Sequence, residues 1–224
     1  MDALVFDFDG VVVDSEPIHL AAFSRVLSKV GIALTEAQYF DKYLGYDDHD
    51  CFLAVMRDNG RACSEDQIGQ MTAEKTAMVQ KILAESVSPL PGAVELISTA
   101  TDHKLPLAIC SGALRAEIIL AADKIGVLKH FATIVAAKDV TKGKPDPEGY
   151  LLAVGGLSEA TGQPLESSRC FAIEDSPAGV TSAKAAGMNV LAVTNSYPAT
   201  ELTQADHVTG SLEDVTIEFL DTLL

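Results

Sequence analysis

The first residues that could do chemistry are two aspartates, Asp7 and Asp9, which follow a short apolar run and precede Gly10. Side chains alternate along a strand, so both carboxylates project from one face while the chain stays extended, with Cα atoms about 7 Å apart. Carboxylates this close repel each other, and a fold tolerates them most readily when a cation or a proton separates them. The pair therefore indicates a site that binds a cation or transfers a proton.

The composition is that of an ordinary globular protein, and it limits the partners. The 224 residues are 48% hydrophobic and 21% charged, and the formal net charge is −16. So acidic a chain is not expected to bind nucleic acid or an anionic membrane surface. The same charge would repel a phosphorylated substrate unless the site supplies its own positive charge.

The cysteines and the apolar runs favour a cytoplasmic protein. The four cysteines form no CxxC pair, which is typical of free thiols in a reducing compartment. No apolar stretch reaches the ~20 residues that a membrane span requires. We expect a soluble, cytoplasmic protein.

Short apolar runs alternate with helical patterns over most of the chain. Several runs are rich in valine and isoleucine without clean alternation, as expected for strands buried on both faces of a parallel sheet. The sequence therefore predicts an α/β fold with a Rossmann-like parallel sheet. The predicted strands span residues 3–8, 106–110, 133–137, 170–173 and 189–193.

The region between the first and second predicted strands breaks this alternation. It contains only helical patterns, at residues 17–30, 36–44, 50–59 and 65–85. The simplest interpretation is an inserted domain. We expect a helical cap domain over residues 15–88 and an α/β core formed by residues 1–14 and 89–224.

Three further segments should bring polar groups to the carboxyl edge of the sheet, where ligands bind in such folds. Ser111 and Gly112 could form a phosphate cradle before a helix, although a helix N-cap is the more common role of such a serine. Lys144 could offset the carboxylates, or it could be a solvated loop lysine. Glu174 and Asp175 would suit a hard divalent cation, although acidic residues before a helix are often caps.

This ordered set of motifs resembles the haloacid dehalogenase-like superfamily, in particular its phosphatase branch with a helical cap inserted after the first strand. The resemblance covers essentially the whole chain. It rests on Asp-x-Asp-Gly after the first strand, serine after the second, Lys-Pro after the third and Glu-Asp after the fourth.

The resemblance implies catalytic roles for four residues. Asp7 would attack phosphorus and become an aspartyl phosphate, while Asp9 would protonate the leaving alcohol and then deprotonate the hydrolytic water. Ser111 and Lys144 would hold the transferring phosphoryl group. Because a carboxylate and a phosphate dianion repel each other, such chemistry needs neutralising positive charge.

The resemblance also implies a Mg²⁺ cofactor. Its ligands would be the carboxylates of Asp7 and Asp175 and the backbone carbonyl of Asp9, with Glu174 acting through water.

Within this superfamily, a phosphatase and a β-phosphoglucomutase are the two alternatives. His19 matches a histidine near the hinge of the mutases, but an exposed position on the first cap helix explains it equally well. The mutases carry an arginine a few residues after the glycine that matches Gly45, where this chain has an acidic stretch. Arg115 could lean toward the substrate, but a solvated position on the helix surface is the more common role. These three residues are the candidates for substrate contacts.

We therefore expect a monomeric, Mg²⁺-dependent phosphatase acting on a small phosphorylated metabolite. The runner-up is a phosphoryl-transfer isomerase of the mutase type. A more remote alternative is a non-enzymatic receiver-like domain, which also combines an acidic cluster with a lysine but lacks a helical insertion.

Overall fold

The computed structural model describes residues 1 to 224, which form two compact units. One unit contains Met1–Asp14 and Ser86–Leu224, and the other contains Ser15–Glu85. None of the helices combines the length and the apolar character needed to cross a membrane.

The unit formed by Ser15–Glu85 is all-helical. Its core is aromatic: the Phe23 ring lies 4.9 Å from that of Phe52 and 5.9 Å from that of Tyr39, measured between centroids. The side chains of Thr35 and Asp47 cap the starts of its second and third helices by accepting backbone N–H bonds. The four helices are α1 (Glu16–Ser28), α2 (Glu36–Lys42), α3 (Asp48–Asp58) and α4 (Glu65–Glu85).

The other unit is built on a six-stranded sheet in which every neighbouring pair is parallel. The strands lie in the order β3-β2-β1-β4-β5-β6. Every residue of β1, β2 and β4 is buried. The strands are β1 (Ala3–Phe6), β2 (Leu107–Cys110), β3 (Phe131–Val135), β4 (Cys170–Glu174), β5 (Asn189–Val193) and β6 (His207–Thr209).

Helices pack on the sheet and complete its core. One of them, α7, lies against β1, β2 and β3 and places Tyr150 and Leu157 in a buried cluster with Val5, Ala108 and Ala172 of the central strands. The helices of this unit are α5 (Ala93–Asp102), α6 (Arg115–Lys124), α7 (Glu148–Thr161), α8 (Pro177–Ala185) and α9 (Ile217–Asp221).

The predicted α/β class with a parallel sheet is confirmed, and several details differ. The first strand ends at Phe6 and not at residue 8. The edge strand β6 was not predicted, because it is only three residues long and includes two polar ones. The third strand lies two residues earlier than predicted, since the apolar run continues into a 3₁₀ turn at Ala137–Asp139. The helix predicted after Ser111 and Gly112 begins at Arg115.

Candidate functional site

The candidate site lies at the carboxyl edge of the sheet, where the central strands end side by side. Asp7 follows β1, and its N–H donates to the carbonyl of Ile173 at 2.9 Å. Ser111 follows β2, and its N–H donates to the carbonyl of Val135 at 2.9 Å. The hydrogen bonding of the sheet thus continues one residue beyond both strands and fixes the backbone that carries these side chains.

A tight turn after Asp7 brings the chain close to Asp175. Gly10 adopts a φ of 75°, in the left-handed region that favours glycine. A Cβ on Gly10 would lie 1.9 Å from Oδ2 of Asp175, so no side chain fits there. The side-chain amide of Asn195, beyond the end of β5, donates to the Gly10 carbonyl at 2.8 Å. Glycine is therefore required at position 10 both by the positive φ and by the lack of space for a Cβ.

Lys144 points into the site and not into solvent. Its Nζ lies 3.0 Å from Oδ1 of Asp7 and 2.6 Å from Oε1 of Glu174, and the side chain is 17% exposed. The loop that carries it is tied to the core, since the buried Ser182 hydroxyl donates to the carbonyl of Asp146 at 2.6 Å. The structure thus brings Lys144 together with two of the predicted carboxylates, and the solvated-lysine alternative is wrong.

Glu174 is completely buried, and both of its oxygens accept hydrogen bonds from the protein. Oε1 accepts from the Tyr150 hydroxyl at 2.7 Å and from Lys144 at 2.6 Å. Oε2 accepts from the backbone N–H groups of Asp175 and Ser176 at 3.0 and 3.2 Å, and from the Ser176 hydroxyl at 3.1 Å. Burial alone would raise the pKa of Glu174, but the Lys144 ammonium and these donors hold it below its usual value.

The pKa values of the other two carboxyl groups, those of Asp7 and Asp175, are raised and not lowered. Burial raises the pKa of Asp7 to about 7, supported by the charges of Glu174 and Asp9 and opposed by Lys144. Burial and the carboxylates of Asp7 and Glu174 raise the pKa of Asp175 well above its ordinary range, although the Ser196 hydroxyl donates to it. The protein therefore stabilises only one of the three negative charges.

The donor set matches that of a hard divalent cation. Asp7, Glu174 and Asp175 each offer a carboxylate oxygen, and these oxygens lie within 4.8 Å of one another. Fully ionised, the three carboxylates face a single ammonium, which leaves two negative charges uncompensated. An all-oxygen, net negative cluster is the environment in which proteins hold Mg²⁺ or Ca²⁺. The residues present thus fit the predicted cofactor.

Asp9 and Ser111 lie next to each other at the same edge. The Ser111 hydroxyl is 3.4 Å from Oδ2 of Asp9, and it accepts from the backbone N–H of Ala113 at 3.0 Å. Ser111 is not the N-cap of α6, because that position belongs to Leu114. The following Gly112 is exposed and has open space around it. The hydroxyl is thus held near the carboxylates without a helix-capping role.

The remaining predicted substrate contacts are not part of this cluster. Arg115 donates to the carbonyl of Ile134 at 2.7 Å and to Asp139 at 2.6 Å, which ties α6 to the end of β3. His19 and Gly45 belong to the helical unit. The involvement of these three residues in substrate binding stays a prediction.

The helical unit contains a buried ammonium whose surroundings the sequence did not reveal. Lys75 is 1% exposed, and its Nζ lies 2.6 Å from Oδ1 of Asp48, 2.6 Å from Nδ1 of His19 and 4.7 Å from the centroid of the Phe23 ring. The position of Lys75 in the helical pattern of residues 65–85 gives no sign of this burial.

A second group of possible metal ligands, Asp47, His49 and Asp50, lies at the start of α3. It is more exposed than the first group, and Asp47 already serves as the N-cap of α3 by accepting from the Asp50 N–H.

Three residues of the site were not predicted from the sequence: Tyr150, Asn195 and Ser196. Tyr150 lies within the apolar pattern of α7, and nothing in that pattern distinguishes a hydroxyl aimed at a carboxylate from one aimed at solvent. Asn195 and Ser196 follow β5, and their position after a predicted strand was the one available signal.

The comparisons with known proteins agree with this geometry. Residues 4–193 match the family described as haloacid dehalogenase-like hydrolase. Hexitol phosphatase A of Escherichia coli is 32% identical over 216 residues, which cover 95% of this chain and 92% of that protein. Protein CbbY of Rhodobacter capsulatus is 33% identical over 211 residues, covering 88% and 87% of the two chains.

The fold is shared with solved structures as well. The crystal structure of β-phosphoglucomutase from Clostridium difficile matches with a TM-score of 0.84 at 23% identity, covering all of this chain and 96% of that one.

Removing the charge of Asp7 should stabilise the metal-free protein at alkaline pH. The pKa of Asp7 is about 7 in the folded state against an ordinary value of 3.8. Its contribution to stability is therefore complete below about pH 4 and is lost as the pH rises through 7. We expect Asp7→Asn to melt several degrees above the wild type at pH 8 in the presence of a chelator, with the difference shrinking toward pH 4.

Asp58→Asn is the control for this experiment. The Tyr43 hydroxyl and Arg57 lower the pKa of Asp58, so wild-type Asp58 stabilises the fold more as the pH rises through its titration. Its pH trend should therefore have the opposite sign. A melting difference for Asp7→Asn that is independent of pH would contradict the environment described for Asp7.

Adding a methyl group at Gly179 should disturb the site through Glu174. Gly179 lies in the first turn of α8, and a Cβ there would be 1.8 Å from Oε1 of Glu174. We expect Gly179→Ala to lose about 1–3 kcal/mol of unfolding free energy in a urea titration, as overpacked positions do. Gly155→Ala in α7 is the matched control, because nothing lies within 4 Å of its Cβ, and it should gain up to ~1 kcal/mol. Equal stabilities of the two variants would refute the steric argument.

Proposed function

Because the chain belongs to the haloacid dehalogenase-like hydrolase family, we propose that it is a Mg²⁺-dependent phosphatase that works through an aspartyl-phosphate intermediate. The family, the fold and the enzyme class predicted from the sequence are confirmed. The cofactor, the intermediate and the residue roles are the proposal.

The observation that carries the proposal is the position of Asp7. Its carboxylate lies 3.0 Å from the Lys144 ammonium, within a cluster of three acidic oxygens, at the end of the central strand β1. A carboxylate is a weak nucleophile toward a phosphate dianion because like charges repel, so it needs cations on both reactants. The Lys144 ammonium is one such cation, and the acidic oxygens beside it could hold a metal ion as the other.

The proposed Mg²⁺ site consists of Asp7, Asp175 and the backbone carbonyl of Asp9, with Glu174 acting through water. When bound, the metal ion would neutralise charge on the phosphoryl oxygens and on the attacking carboxylate.

The first half-reaction would join Asp7 to the substrate. An Asp7 carboxylate oxygen forms a bond to phosphorus while the bond from phosphorus to the ester oxygen breaks. The Asp9 carboxyl donates a proton to the departing oxygen, which leaves as an alcohol. Ser111 and Lys144 donate hydrogen bonds to the phosphoryl oxygens during this transfer.

The second half-reaction would restore the enzyme. The Asp9 carboxylate takes a proton from a water molecule as that water attacks phosphorus. The bond between phosphorus and the Asp7 oxygen breaks, releasing inorganic phosphate and the free Asp7 carboxylate. Asp9 is then protonated again and ready for the next substrate.

We propose that the substrate is a small phosphorylated metabolite with an uncharged remainder, such as a sugar or polyol monophosphate. The relative named hexitol phosphatase A supports this class. The helical unit stays a predicted cap domain, and within it the ammonium of Lys75 is already paired with Asp48 at 2.6 Å. The stretch after Gly45 contains three aspartates and no arginine, so it lacks the arginine that would bind a second phosphate.

The β-phosphoglucomutase reaction remains the second candidate because of the shared fold, whereas the inserted helical unit argues against a receiver-like domain. A monomeric state and a cytoplasmic location stay predictions.

The proposed reaction is tested by Mg²⁺-dependent release of phosphate from p-nitrophenyl phosphate and from a panel of sugar, polyol and acid monophosphates. We expect turnover by the wild type and a loss of at least about 10³-fold in Asp7→Asn, since the nucleophile is removed. Asp9→Asn should slow both half-reactions. An active, folded Asp7→Asn variant would show that another group attacks phosphorus, and conversion of β-glucose 1-phosphate in place of its hydrolysis would establish the mutase alternative.

Binding of Mg²⁺ should release protons, because the carboxyl groups of Asp7 and Asp175 must be ionised to ligate it. Calorimetric titration at pH 6.5 in two buffers of different ionisation enthalpy measures this release directly. The double variant Asp47→Asn, Asp50→Asn removes the second acidic group and should bind Mg²⁺ like the wild type. Loss of the binding event in that double variant would place the metal in the helical unit.

A further inference from the structure

One buried polar group beneath the site has no role in the proposed reaction. Tyr150 is completely buried in α7, yet it carries a hydroxyl that donates to Oε1 of Glu174 at 2.7 Å. A buried tyrosine in an apolar cluster could be replaced by phenylalanine without loss of packing, so the hydroxyl calls for an explanation of its own.

The hydroxyl shares one carboxylate oxygen with the proposed catalytic lysine. Oε1 of Glu174 has two lone pairs, one accepting from Tyr150 and the other from Lys144. The second oxygen of Glu174 is held by the amides after β4 and by the Ser176 hydroxyl. Every acceptor direction of Oε1 is therefore filled, and the carboxylate has a single orientation.

That orientation determines where the lysine ammonium lies. An ammonium has three N–H donors, and in Lys144 one is directed to Glu174 and one to Asp7. The third remains for a phosphoryl oxygen. The same ammonium lies 5.3 Å from the centroid of the Tyr150 ring, within the range of a cation–π contact. Tyr150 thus contacts Lys144 through its ring and acts on it through Glu174.

We propose that Tyr150 is a positioning residue for phosphoryl transfer, which fixes the Lys144 ammonium against Asp7 through its hydrogen bond to Glu174. In this proposal Glu174 holds Lys144 in place by accepting its hydrogen bond. This role agrees with the expectation that Glu174 acts on the metal only through water. The inference rests on the proposed function, because the phosphoryl group is what the third donor of Lys144 would bind.

The test is Tyr150→Phe, which removes the hydroxyl and keeps the ring. With p-nitrophenyl phosphate at saturating Mg²⁺, we expect kcat to fall about 10- to 100-fold, as for other supporting hydrogen bonds around a site. The half-saturating Mg²⁺ concentration should change less than about threefold, because only the ammonium is mispositioned. Inorganic phosphate, measured by calorimetry with Mg²⁺ present, should bind several-fold more weakly.

A double-mutant cycle separates positioning from a general structural role. If Tyr150 acts through the ammonium, adding Tyr150→Phe to Lys144→Ala should weaken phosphate binding no further. If Lys144→Ala does not fold, Glu174→Gln takes its place in the cycle. Tyr43→Phe is the matched control, because it also removes the hydrogen bond from a buried tyrosine to a carboxylate, that of Asp58, and it should leave kcat unchanged.

Two results would overturn the inference. One is a Tyr150→Phe variant with wild-type kcat and phosphate affinity. The other is an equal loss of phosphate affinity with and without Lys144. A wild type that releases no phosphate from any substrate would instead contradict the proposed function, so the two failures can be told apart.

Discussion

Three buried carboxylates share one ammonium at the carboxyl edge of the sheet, and the arrangement of the site depends on how the protein divides that charge. Four hydrogen bonds and the Lys144 ion pair stabilise Glu174. Asp7 and Asp175 receive much less, and burial raises the pKa of both. One carboxylate is therefore satisfied by the protein itself, whereas the other two are stable as anions only beside a further cation. This asymmetry is what the proposed metal site and the proposed nucleophile require.

The carboxylates approach the neighbouring backbone closely because two positions of the site are glycines, which have no side chain. Gly10 and Gly179 stand where any Cβ would lie within 2 Å of Asp175 or Glu174. Together with the strand ends, these glycines bring separate parts of the chain within hydrogen-bonding distance. The cost is a buried cluster of like charges in the metal-free state, the kind of local instability that functional sites carry at the expense of the fold.

Sequence reasoning located the groups at the carboxyl ends of predicted strands, because the ends of parallel strands meet at one edge whatever the details of packing. Asp7 and Asp175 were found in this way. It missed Tyr150, whose hydroxyl donates to Glu174 from the buried face of α7. It also missed the burial of Lys75, since a polar residue on an amphipathic helix gives no sign of whether its partners lie across the core. What the sequence could not provide was side-chain direction within helices.

The pairing of Lys75 bears on the choice of substrate. A buried ammonium without a counterion would attract an anionic substituent, but Asp48 already neutralises this one at 2.6 Å. The ammonium of Lys144, by contrast, belongs to the proposed catalytic cluster, and it faces carboxylates that outnumber it. A monophosphate brings a charge that Lys144 and a metal ion can balance between them. A bisphosphate brings about two further negative charges to a chain that is already strongly acidic. These charges support the proposed substrate class, in which the transferred phosphate is the only charged group.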